Sequence, residues 1–357
     1  MNLPTSPVKG RGTAANPDNR YAAWAREAAD DGWEREDETA KPRTTLTPDT
    51  SKSVISRNES PDLPFDRSIN PYRGCEHGCI YCYARPSHAW LGLSPGLEFE
   101  TRLSYKADAA AQLRAELAKP GYRPAPIALG VNTDAWQPAE RELGITRQVL
   151  EVLAETRHPV TVITKSALIL RDLDLLAPLA AQGLAHVAVS VTTLDADLAR
   201  KLEPRAAAPK RRLEVLRMLA EAGIKPMVMV APVIPALTDH EPERILEAAA
   251  AAGAAHADYV LLRLPREVEP LFRDWLQTHY PDRAAHVLSL VTQMRGGGHN
   301  DARFGHRMRG EGALAELLRK RFNLAKRRLG LDSPLPTLNC TAFQPPAVGG
   351  QLSLFAG

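Results

Sequence analysis

The chain has 357 residues, of which 44% are hydrophobic and 24% are charged, and its formal net charge is +3. This composition excludes wholesale disorder, and the length suits one large domain or two ordinary ones. Because the net charge is small, a nucleic-acid partner would have to be recognised through locally clustered charge.

The cysteines and the amino-terminal residues predict the cellular compartment. The four cysteines show no disulfide framework, which is typical of a reducing compartment. Residues 1–49 hold no apolar segment of the signal-peptide type, and no run approaches the roughly 18 apolar residues of a membrane-spanning helix. We therefore expect a cytoplasmic protein with no membrane partner.

The first 60 residues are rich in Pro, Asn, Asp, Thr and Arg and show little hydrophobic periodicity. They predict a flexible, mostly extended or disordered segment with one short helix over residues 21–29. Gly10-Arg11-Gly12 could make a specific contact, but we interpret it as part of a flexible basic tail. The core domain is expected to span residues 61–285.

Three cysteines, Cys75, Cys79 and Cys82, stand within eight residues in the spacing C-x3-C-x2-C. Gly74 and Gly78 give the loop the backbone freedom to turn each sulfur toward one centre. A structural zinc site closes with four protein ligands, and an iron–sulfur cluster without an open iron normally has four cysteines. Three cysteines on a four-iron cluster therefore leave one iron free to bind a small molecule.

One alternative for this loop stays open at this point. His77 or His88 could complete a Cys3His zinc site, because histidine is a common fourth zinc ligand. Cysteines that are merely buried small hydrophobes are a poorer explanation, since three of the four would not gather here by chance.

Apolar strands and helices alternate after the cysteine loop. The predicted strands cover residues 68–70, 127–131, 160–164, 185–191, 224–230 and 259–264. The predicted helices cover residues 105–118, 145–156, 168–182, 195–202, 210–222, 241–252 and 268–279. Six such units predict an α/β fold with a parallel sheet, either an open doubly wound sheet or a barrel.

Polar residues follow several of these strands, where active sites of parallel sheets lie. Thr133-Asp134 follows the second strand and Lys165 the third, and Ser190 ends the fourth. Glu203 stands near the same rim and is followed by Arg211 and Arg212, with which it could form an acid–base pair. A turn-capping role for Asp134 and a surface position for Lys165 are the plainer alternatives.

The ordered motifs resemble a known family. The cysteine loop, with an aromatic residue before its last cysteine, resembles the cluster loop of radical S-adenosylmethionine (SAM) enzymes. Over about residues 66–265, the blocks NPYRGC…CxYCY, TDxxQPxER, TKS, SVTTLD with LEP, and PVIP resemble the spore photoproduct lyase-like branch, also called DNA repair photolyase-like. The resemblance implies a partial (β/α)6 barrel, open on one side.

The resemblance also implies cofactors and roles. Cys75, Cys79 and Cys82 would hold a [4Fe–4S] cluster whose open iron binds SAM, which is cleaved reductively to methionine and a 5′-deoxyadenosyl radical. The cofactor-binding residues would be Thr133, Asp134, Lys165, Ser190 and Glu203. Tyr81 and Tyr83 would serve in radical relay or cofactor packing.

One position departs from the family pattern. Spore photoproduct lyases carry a cysteine hydrogen-atom donor just before the triplet that follows the second strand, where this chain has Val131. Their reaction is therefore not carried over unchanged. Cys340 is the remaining thiol, and we consider it as the hydrogen-atom donor, with an inert buried cysteine as the alternative.

Residues 286–344 predict a basic helical extension, with a flexible joint at Arg295-Gly296-Gly297-Gly298 and a helical stretch over 304–329. Between residues 295 and 328, ten Lys and Arg stand against three Asp and Glu. Such a local excess is what binding to a phosphate backbone requires, and a solvated helix face is the alternative.

Residues 345–357 predict a mobile tail. Its sequence Gln351-Leu352-Ser353-Leu354-Phe355 resembles the pentapeptide by which bacterial repair and replication proteins bind the sliding clamp. Leu352, Leu354 and Phe355 would enter a hydrophobic pocket, with Gln351 as the polar contact. A tail that folds back on the core is the alternative.

We therefore expect a radical SAM enzyme that abstracts a hydrogen atom from a nucleic-acid substrate in DNA repair. The expected partners are DNA, with RNA as an alternative, the sliding clamp, and an electron donor such as flavodoxin or ferredoxin. A radical enzyme that modifies RNA or protein and a non-catalytic metal-binding adaptor on the clamp are the competing hypotheses.

Overall fold

The computed structural model describes residues 8–22 and 42–346. In these residues the chain forms ten β-strands and eleven α-helices. The strands are β1 (Thr45–Pro48), β2 (Ile55–Arg57), β3 (Arg67–Ile69), β4 (Tyr72–Arg73), β5 (Arg102–Tyr105), β6 (Ile127–Leu129), β7 (Val160–Thr164), β8 (Ala185–Ser190), β9 (Met227–Val233) and β10 (His256–Leu261).

The helices lie between and after these strands. They are α1 (Glu98–Thr101), α2 (Ala109–Leu117), α3 (Glu140–Leu143), α4 (Ile145–Glu155), α5 (Leu173–Ala181), α6 (Ala196–Leu202), α7 (Pro209–Glu221), α8 (Pro242–Ala251), α9 (Val268–His279), α10 (Pro281–Met294) and α11 (Gly312–Arg328). Two 3-10 helices, Arg85–Leu91 and Ala167–Asp172, follow the cysteine loop and β7.

Seven strands form the main sheet in the order β10-β9-β8-β7-β6-β3-β2. The strands β3 and β6 to β10 run parallel, and β2 is antiparallel to β3. The predicted α/β fold, a partial barrel of six parallel strands, is confirmed. The sheet is open, because in the described part of the chain β10 and β2 are edges that do not pair with each other. The carboxyl ends of the six parallel strands meet at one end of the sheet.

The core between sheet and helices explains why the central units could be predicted closely. Val160, Val162 and Thr164 of β7 are buried at alternate positions. In α4, Val149 and Leu153 are fully buried one turn apart. The period-two burial of a strand and the period-3.6 burial of a helix therefore alternate along the chain. Both β7 and α4 begin at the residue predicted for them.

Two strands are displaced by three residues from their predicted bounds, β9 toward the carboxyl terminus and β10 toward the amino terminus. Ile224 is buried in the core although it precedes the strand, and Pro226 has no N–H to donate to a ladder. His256 precedes the predicted strand, yet it pairs in register with Met227. At these two strands, the residues that are buried are not the same as the residues that pair with a neighbouring strand. A run of apolar residues indicates burial and does not show where strand pairing begins or ends.

The predicted flexible segment through residue 60 is corrected for residues 42–60. β1 pairs with β5 in a small sheet of order β1-β5-β4, and β2 extends the main sheet beside β3. Hydrogen bonding of the backbone to other strands holds these polar residues, so no alternation of apolar side chains marks them. The helix predicted over residues 21–29 lies almost entirely outside the described residues.

The amino-terminal segment (residues 8–22) contacts the cysteine loop. Arg11 Nη1 donates to the carbonyl oxygen of Glu100 at 2.8 Å, and the N–H of Gly12 donates to the Glu100 carboxylate at 2.9 Å. A Cβ on Gly12 would stand 1.8 Å from the carbonyl oxygen of Gly78, so only glycine fits there. The expectation that these residues belong to a flexible tail is wrong.

The predicted boundary at residue 285 falls inside α10, which packs on α9. Arg295, predicted to begin a flexible joint, is buried, and its guanidinium donates to the carbonyl oxygens of Leu261 and Leu262 at 2.6 and 2.8 Å. The joint is therefore tied to β10. The helical stretch predicted from residue 304 begins only at Gly312.

Residues 299–309, which we call the edge segment, connect the two sides of the open sheet. Leu261 N–H donates to the carbonyl oxygen of Met308 at 2.9 Å, beside β10. On the other side, Arg307 donates two hydrogen bonds to the carboxylate of Asp62, which follows β2. The opening beside β10 is thus partly covered by this segment.

Most of the positive charge predicted for the extension is paired. Four ion pairs reach acids outside the extension, Arg307–Asp62, Arg309–Asp258, Arg321–Glu243 and Arg328–Glu247. Arg303, Arg319 and Lys320 pair with acids of the extension itself. Lys326 and Arg327 make no ion pair with the described residues. The acids of the first four pairs come from elements far away in sequence, so a count along the chain overstates the free charge available to a phosphate backbone.

Residues 331–344 lie across the amino ends of the strands. The N–H groups of Asn339 and Gln344 donate to the carbonyl oxygens of Gly183 and Thr156, each at 2.9 Å, just before β8 and β7. The ring of Phe343 packs on His158 at 5.4 Å. This segment closes the end of the barrel opposite to the carboxyl ends of the strands.

Two further expectations concern the membrane and the tail. Among residues 8–22 and 42–346, no helix is long and apolar enough to cross a bilayer. The predicted clamp-binding residues Gln351, Leu352, Leu354 and Phe355 lie outside the described residues.

Candidate active site

The cysteine loop follows β4 directly and turns at two glycines. Gly74 and Gly78 have φ angles of +79° and +66°, the left-handed conformation that glycine adopts without strain. A Cβ on Gly74 would stand 2.9 Å from the carbonyl oxygen of Phe99, and one on Gly78 would stand 2.7 Å from the Glu100 carboxylate. Both turns therefore need glycine for its backbone freedom and for its lack of a side chain.

Arg85 holds the loop from behind and is fully buried. Its guanidinium donates to the carbonyl oxygens of Cys79 and Gly78 at 2.9 and 3.2 Å, and to the Glu100 carboxylate at 2.5 Å. The carboxylate neutralises a charge that would be costly to bury alone. The backbone on which the sulfurs are carried is thus fixed before any ligand binds.

The three cysteines line one cavity of about 270 Å³ at the carboxyl ends of the strands. The structure brings most of the predicted site residues to the same wall. They are Tyr81, Tyr83, Thr133, Asp134, Lys165 and Ser190.

The distances between the sulfurs separate two metal chemistries. A zinc ion binds thiolates at about 2.3 Å, which in a tetrahedral site holds the sulfurs roughly 3.8 Å apart. In the described residues, the sulfurs of Cys75, Cys79 and Cys82 do not all lie within 4.8 Å of one another, and no histidine completes such a group with them. A four-iron cluster, in which each cysteine binds a different iron, accommodates the wider spacing.

Neither histidine considered as a zinc ligand completes a four-ligand site. The Nδ1 of His77 lies 3.4 Å from the Asp134 carboxylate, and burial lowers the pKa of its ring. His88 packs edge-on against Phe99, and burial lowers its pKa to about 4. His88 is also absent from the cavity wall. The Cys3His zinc alternative is therefore not supported.

Burial also governs the protonation of the cysteines. It raises the pKa of the Cys75 thiol well above its ordinary value and that of Cys79 to about 12. Thiolates in such a site require positive charge in direct contact with the sulfurs, which a metal cluster supplies. The donor set and its spacing fit an iron–sulfur cluster.

Asp134 connects the ends of two neighbouring strands. Its carboxylate accepts hydrogen bonds from the Thr164 hydroxyl at 2.8 and 2.9 Å, from the Lys165 N–H at 2.8 Å and from the Trp136 N–H at 2.9 Å. The turn-capping role and the position in the cavity wall therefore coexist. Through this contact, Asp134 sets the backbone from which Lys165 projects.

The side chains of Thr133, Ser190 and Lys165, also predicted to contact the cofactor, differ in whether they already donate a hydrogen bond within the protein. Thr133 donates its hydroxyl to the carbonyl oxygen of Tyr72 at 2.8 Å, and Ser190 donates to that of Ala231 at 3.1 Å. Lys165 makes no ion pair with the described residues, and its Nζ lies 6.0 Å from the centroid of the Tyr81 ring. Within the part of the chain that the structure describes, Lys165 is therefore a free cation on this side of the cavity.

Glu203 lies behind Tyr81 and is absent from the cavity wall, which corrects its predicted direct contact with the cofactor. Its carboxylate accepts hydrogen bonds from the hydroxyls of Tyr81 and Thr192 and from the guanidinium of Arg212. Burial opposes the charge of Glu203, but Arg212 and Lys165 outweigh burial and lower its pKa to about 2. The network fixes the side chain of Tyr81, which belongs to the cysteine loop itself.

Tyr83 lies on the opposite side of the last cysteine. Its hydroxyl donates to the carbonyl oxygen of Val131, and the guanidinium carbon of Arg263 lies 4.7 Å from the centroid of its ring. Val131, at the position where the lyases carry a cysteine, also lines the cavity. The two tyrosines are thus held by separate partners on either side of Cys82.

The structure does not bring Cys340 to this site, which removes it as a hydrogen-atom donor. Its Sγ lies 3.7 Å from the carbonyl oxygen of Leu338, in the segment that crosses the amino ends of the strands. The cavity lies at the carboxyl ends, with the full thickness of the barrel between them. Among the described cysteines, those in the cavity wall are the three of the loop.

The sequence did not single out two residues that shape the site. Gln137 accepts the N–H of Glu76 at 2.8 Å and donates to the carbonyl oxygen of Gly74 at 3.2 Å, so it ties the turn after β6 to the cysteine loop. Arg85 is the other. The sequence signal for Gln137 was its place in the TDxxQPxER block, and the signal for Arg85 was its position three residues after the last cysteine of the loop. Neither signal indicates which residue the side chain contacts.

Residues 69–249 match the family model of the Radical SAM superfamily. The chain belongs to this superfamily. It is a radical SAM enzyme, and as such it uses a [4Fe–4S] cluster and SAM.

Several curated proteins are similar in sequence to this chain. An uncharacterized protein of Mycobacterium tuberculosis is 39% identical over 230 residues, which cover 64% of this chain and 68% of the relative. An uncharacterized protein of Methanocaldococcus jannaschii is 28% identical over 214 residues, 60% of this chain and 76% of its own. A protein of Acidianus two-tailed virus is 41% identical over 90 residues, which cover 25% of this chain and 29% of the relative.

The fold is similar to solved structures of spore photoproduct lyase. The complex of that enzyme with a dinucleoside spore photoproduct has a TM-score of 0.57 and 17% identity, and covers 80% of this chain and 79% of its own. A mutant with bound AdoMet and the same photoproduct has a TM-score of 0.55 and 15% identity, over 80% and 78% of the two chains. At these identities the likeness shows a shared fold.

Proposed function

We propose that this radical SAM enzyme abstracts a hydrogen atom from a nucleic-acid substrate, DNA in the first place, and acts in DNA repair. The observation that carries the proposal is a single cavity that joins the cysteine triad to cationic and aromatic side chains on a lyase-like fold. When bound, the cluster and SAM supply a 5′-deoxyadenosyl radical by reductive cleavage.

The residues of the chain have distinct parts in this proposal. Cys75, Cys79 and Cys82 hold the cluster, and Lys165 binds the SAM carboxylate with its free ammonium group. Asp134 orients Lys165 through its backbone and faces the SAM ammonium with the same carboxylate. Thr133 and Ser190 complete the SAM-binding wall through oxygen lone pairs.

In this proposal, Tyr81 and Tyr83 pass a hydrogen atom between the substrate and the cofactor side of the cavity. Tyr81 is held by the Glu203 network, and Tyr83 by the carbonyl oxygen of Val131. Because no thiol beyond the cluster ligands lines the cavity in the described residues, we do not propose the cysteine-dependent reaction of spore photoproduct lyase. A tyrosine relay takes the place of that thiol.

The first test is formation of 5′-deoxyadenosine by protein that is purified without oxygen, reconstituted with iron and sulfide, and supplied with SAM and dithionite. We expect product from the wild type and from Cys340→Ala, and none from Cys79→Ala. A wild type that forms none while its cluster is intact would argue for a non-catalytic metal-binding adaptor.

The second test identifies the substrate class. Oligonucleotides with deuterated sugars and bases are incubated with the enzyme, and deuterium in 5′-deoxyadenosine is measured by mass spectrometry. We expect transfer from DNA. Transfer from RNA alone, or from protein in an extract depleted of nucleic acid, would replace DNA by that class.

Two partners follow from the same proposal. A low-potential electron carrier such as flavodoxin or ferredoxin supplies the electron for SAM cleavage. The sequence Gln351-Leu352-Ser353-Leu354-Phe355 docks on the sliding clamp and brings the enzyme to replicating DNA. Calorimetry should show clamp binding by the full chain and none after deletion of residues 351–357. Equal affinity of both proteins would refute the docking.

A further inference from the structure

Arg263 follows β10 by two residues, and its backbone is fixed on both sides. The N–H of Leu262 donates to the carbonyl oxygen of Val233 in β9 at 2.9 Å, and that of Leu264 donates to the edge segment at 3.0 Å. The buried guanidinium of Arg295 holds the carbonyl oxygen of Leu262 at 2.8 Å. This support directs the Arg263 side chain into the cavity wall.

The guanidinium of Arg263 rests on Tyr83. Its central carbon lies 4.7 Å from the centroid of the ring, at a distance typical of a cation–π contact. The ring is itself held by the hydrogen bond from its hydroxyl to Val131. Stacking leaves the edge of the guanidinium, with its N–H groups, available for another partner.

That partner is not supplied by the described part of the chain. The neighbouring Arg307 and Arg309 are paired with Asp62 and Asp258, whereas Arg263 has neither a carboxylate nor a carbonyl oxygen in hydrogen-bonding contact. Burial lowers the pKa of Arg263, since its positive charge is poorly compensated. Among the described residues, no nitrogen of Arg263 is a buried atom without a partner, so its N–H donors face the water-accessible cavity, where an anion can replace water. The geometry is that of an anion site.

SAM does not account for this anion. It carries one carboxylate, which Lys165 receives at the end of β7 in our proposal. Arg263 follows β10 and lies against Tyr83, whereas Lys165 follows β7 and lies on the side of Tyr81. Because the two cations stand beside different tyrosines, we assign the anion at Arg263 to the substrate.

We propose that Arg263, stacked on Tyr83, binds a phosphodiester of the polynucleotide substrate and places the adjoining nucleotide beside the cysteine loop. This inference rests on the proposed function. A planar guanidinium donates two parallel hydrogen bonds to a phosphate, and the ring of Tyr83 gives the same nucleotide an aromatic neighbour. Arg263 is then a residue that determines substrate position.

The test measures binding of a short fluorescent single-stranded DNA to the reconstituted enzyme with SAM, over a salt series. Arg263→Gln is compared with the wild type and with Arg217→Gln, an exposed arginine of α7 that pairs with Glu221. A second DNA carries uncharged methylphosphonate linkages at its centre. Thymidine 5′-monophosphate is tested in parallel as a free phosphate ester.

We expect Arg263→Gln to bind the DNA about tenfold more weakly than the wild type, with the salt slope reduced by about 0.7. The wild type should bind the methylphosphonate DNA more weakly than the unmodified DNA. Arg263→Gln should bind both DNAs with the same affinity. Arg217→Gln should match the wild type in both respects.

Three results would overturn the inference. If Arg263→Gln binds DNA like the wild type, or remains as sensitive to the methylphosphonate, no phosphate is bound there. Weaker SAM binding in place of weaker DNA binding would assign Arg263 to the SAM carboxylate. Arg263-dependent binding of thymidine 5′-monophosphate, by an enzyme that does not bind DNA, would indicate a free nucleotide. Failure of the wild type to bind any nucleic acid would instead reject the proposed function.

Discussion

Arg85 and Glu100 form an ion pair behind the cysteine loop, with 2.5 Å between Nη2 and Oε1 and no solvent exposure of either side chain. The arginine holds the carbonyl oxygens of Gly78 and Cys79, while the carboxylate also accepts the N–H of Gly12. A single buried pair therefore joins the amino-terminal segment to the loop that carries the cluster ligands.

Replacement of Arg85 should damage both stability and cluster binding. Arg85→Met leaves the Glu100 carboxylate buried without its partner, which costs about 3 to 5 kcal/mol of unfolding free energy. The loop loses its backbone support at the same time. We expect lower iron content after reconstitution and a lower Tm than for Arg102→Met, an exposed control that pairs with Glu98. Wild-type values of both would show that the pair is dispensable.

The contact of the amino-terminal segment can be tested through its glycines. Gly12→Ala puts a methyl group 1.8 Å from the position of the Gly78 carbonyl oxygen, so the segment must move away from the loop. Gly10→Ala is the matched control, because a Cβ there meets no atom within 4 Å and adds only the strain of φ +79°. We expect faster proteolytic cleavage before residue 22 in Gly12→Ala than in Gly10→Ala. Equal cleavage rates would mean that the segment does not depend on this approach.

Glu203 should give stability an acid-dependent component. Its pKa in the folded protein is lowered from 4.5 to about 2 by Arg212 and Lys165, against the opposing effect of burial. The ionised carboxylate therefore stabilises the fold fully above about pH 4.5, and this contribution is lost as the pH falls toward 2. Its size is on the order of 3 kcal/mol.

Urea unfolding without a reconstituted cluster measures this contribution. The difference in unfolding free energy between the wild type and Glu203→Gln should shrink as the pH falls from about 6 to about 3. Glu214→Gln, which removes an exposed partner of Arg211, serves as the control. A difference between wild type and Glu203→Gln that stays constant with pH would contradict the assignment.

Cys340 should be dispensable for catalysis. Its sulfur lies in the segment across the amino ends of the strands, so it cannot meet a radical formed at their carboxyl ends. Cys340→Ala should form 5′-deoxyadenosine at the wild-type rate and bind the same amount of iron. A changed product or a slower rate would require the segment to move to the other end of the barrel.

Local patterns were enough to predict the parallel sheet, the cysteine loop and the strand-end residues. The spacing of Cys75, Cys79 and Cys82 is a property of one short loop, and the run of residues 160–164 carries its own strand signal. Asp134, Lys165 and Ser190 could be grouped in advance, because parallel strands end at the same edge of a sheet. In each case the chemistry lies within a few neighbouring residues.

Contacts between distant residues were beyond such patterns. The partner of Arg85 is 15 residues away, that of Gln137 is 61 residues away at Glu76, and that of Arg307 is 245 residues away at Asp62. Hydrogen bonding of a buried side chain depends on the finished packing and leaves no periodicity in the sequence. The pairing of β1 and the neutralised basic extension were missed for the same reason.

The candidate cluster ligands and the number of β/α units could thus be predicted from the sequence. The spacing of the cysteines and the period of the hydrophobic residues can each be recognised within a short stretch of chain. The exclusion of Cys340 and the lack of a partner for the Arg263 guanidinium among the described residues emerge only in the folded chain. They depend on distances across the barrel, which are set when the strands pair and the edge segment closes over them.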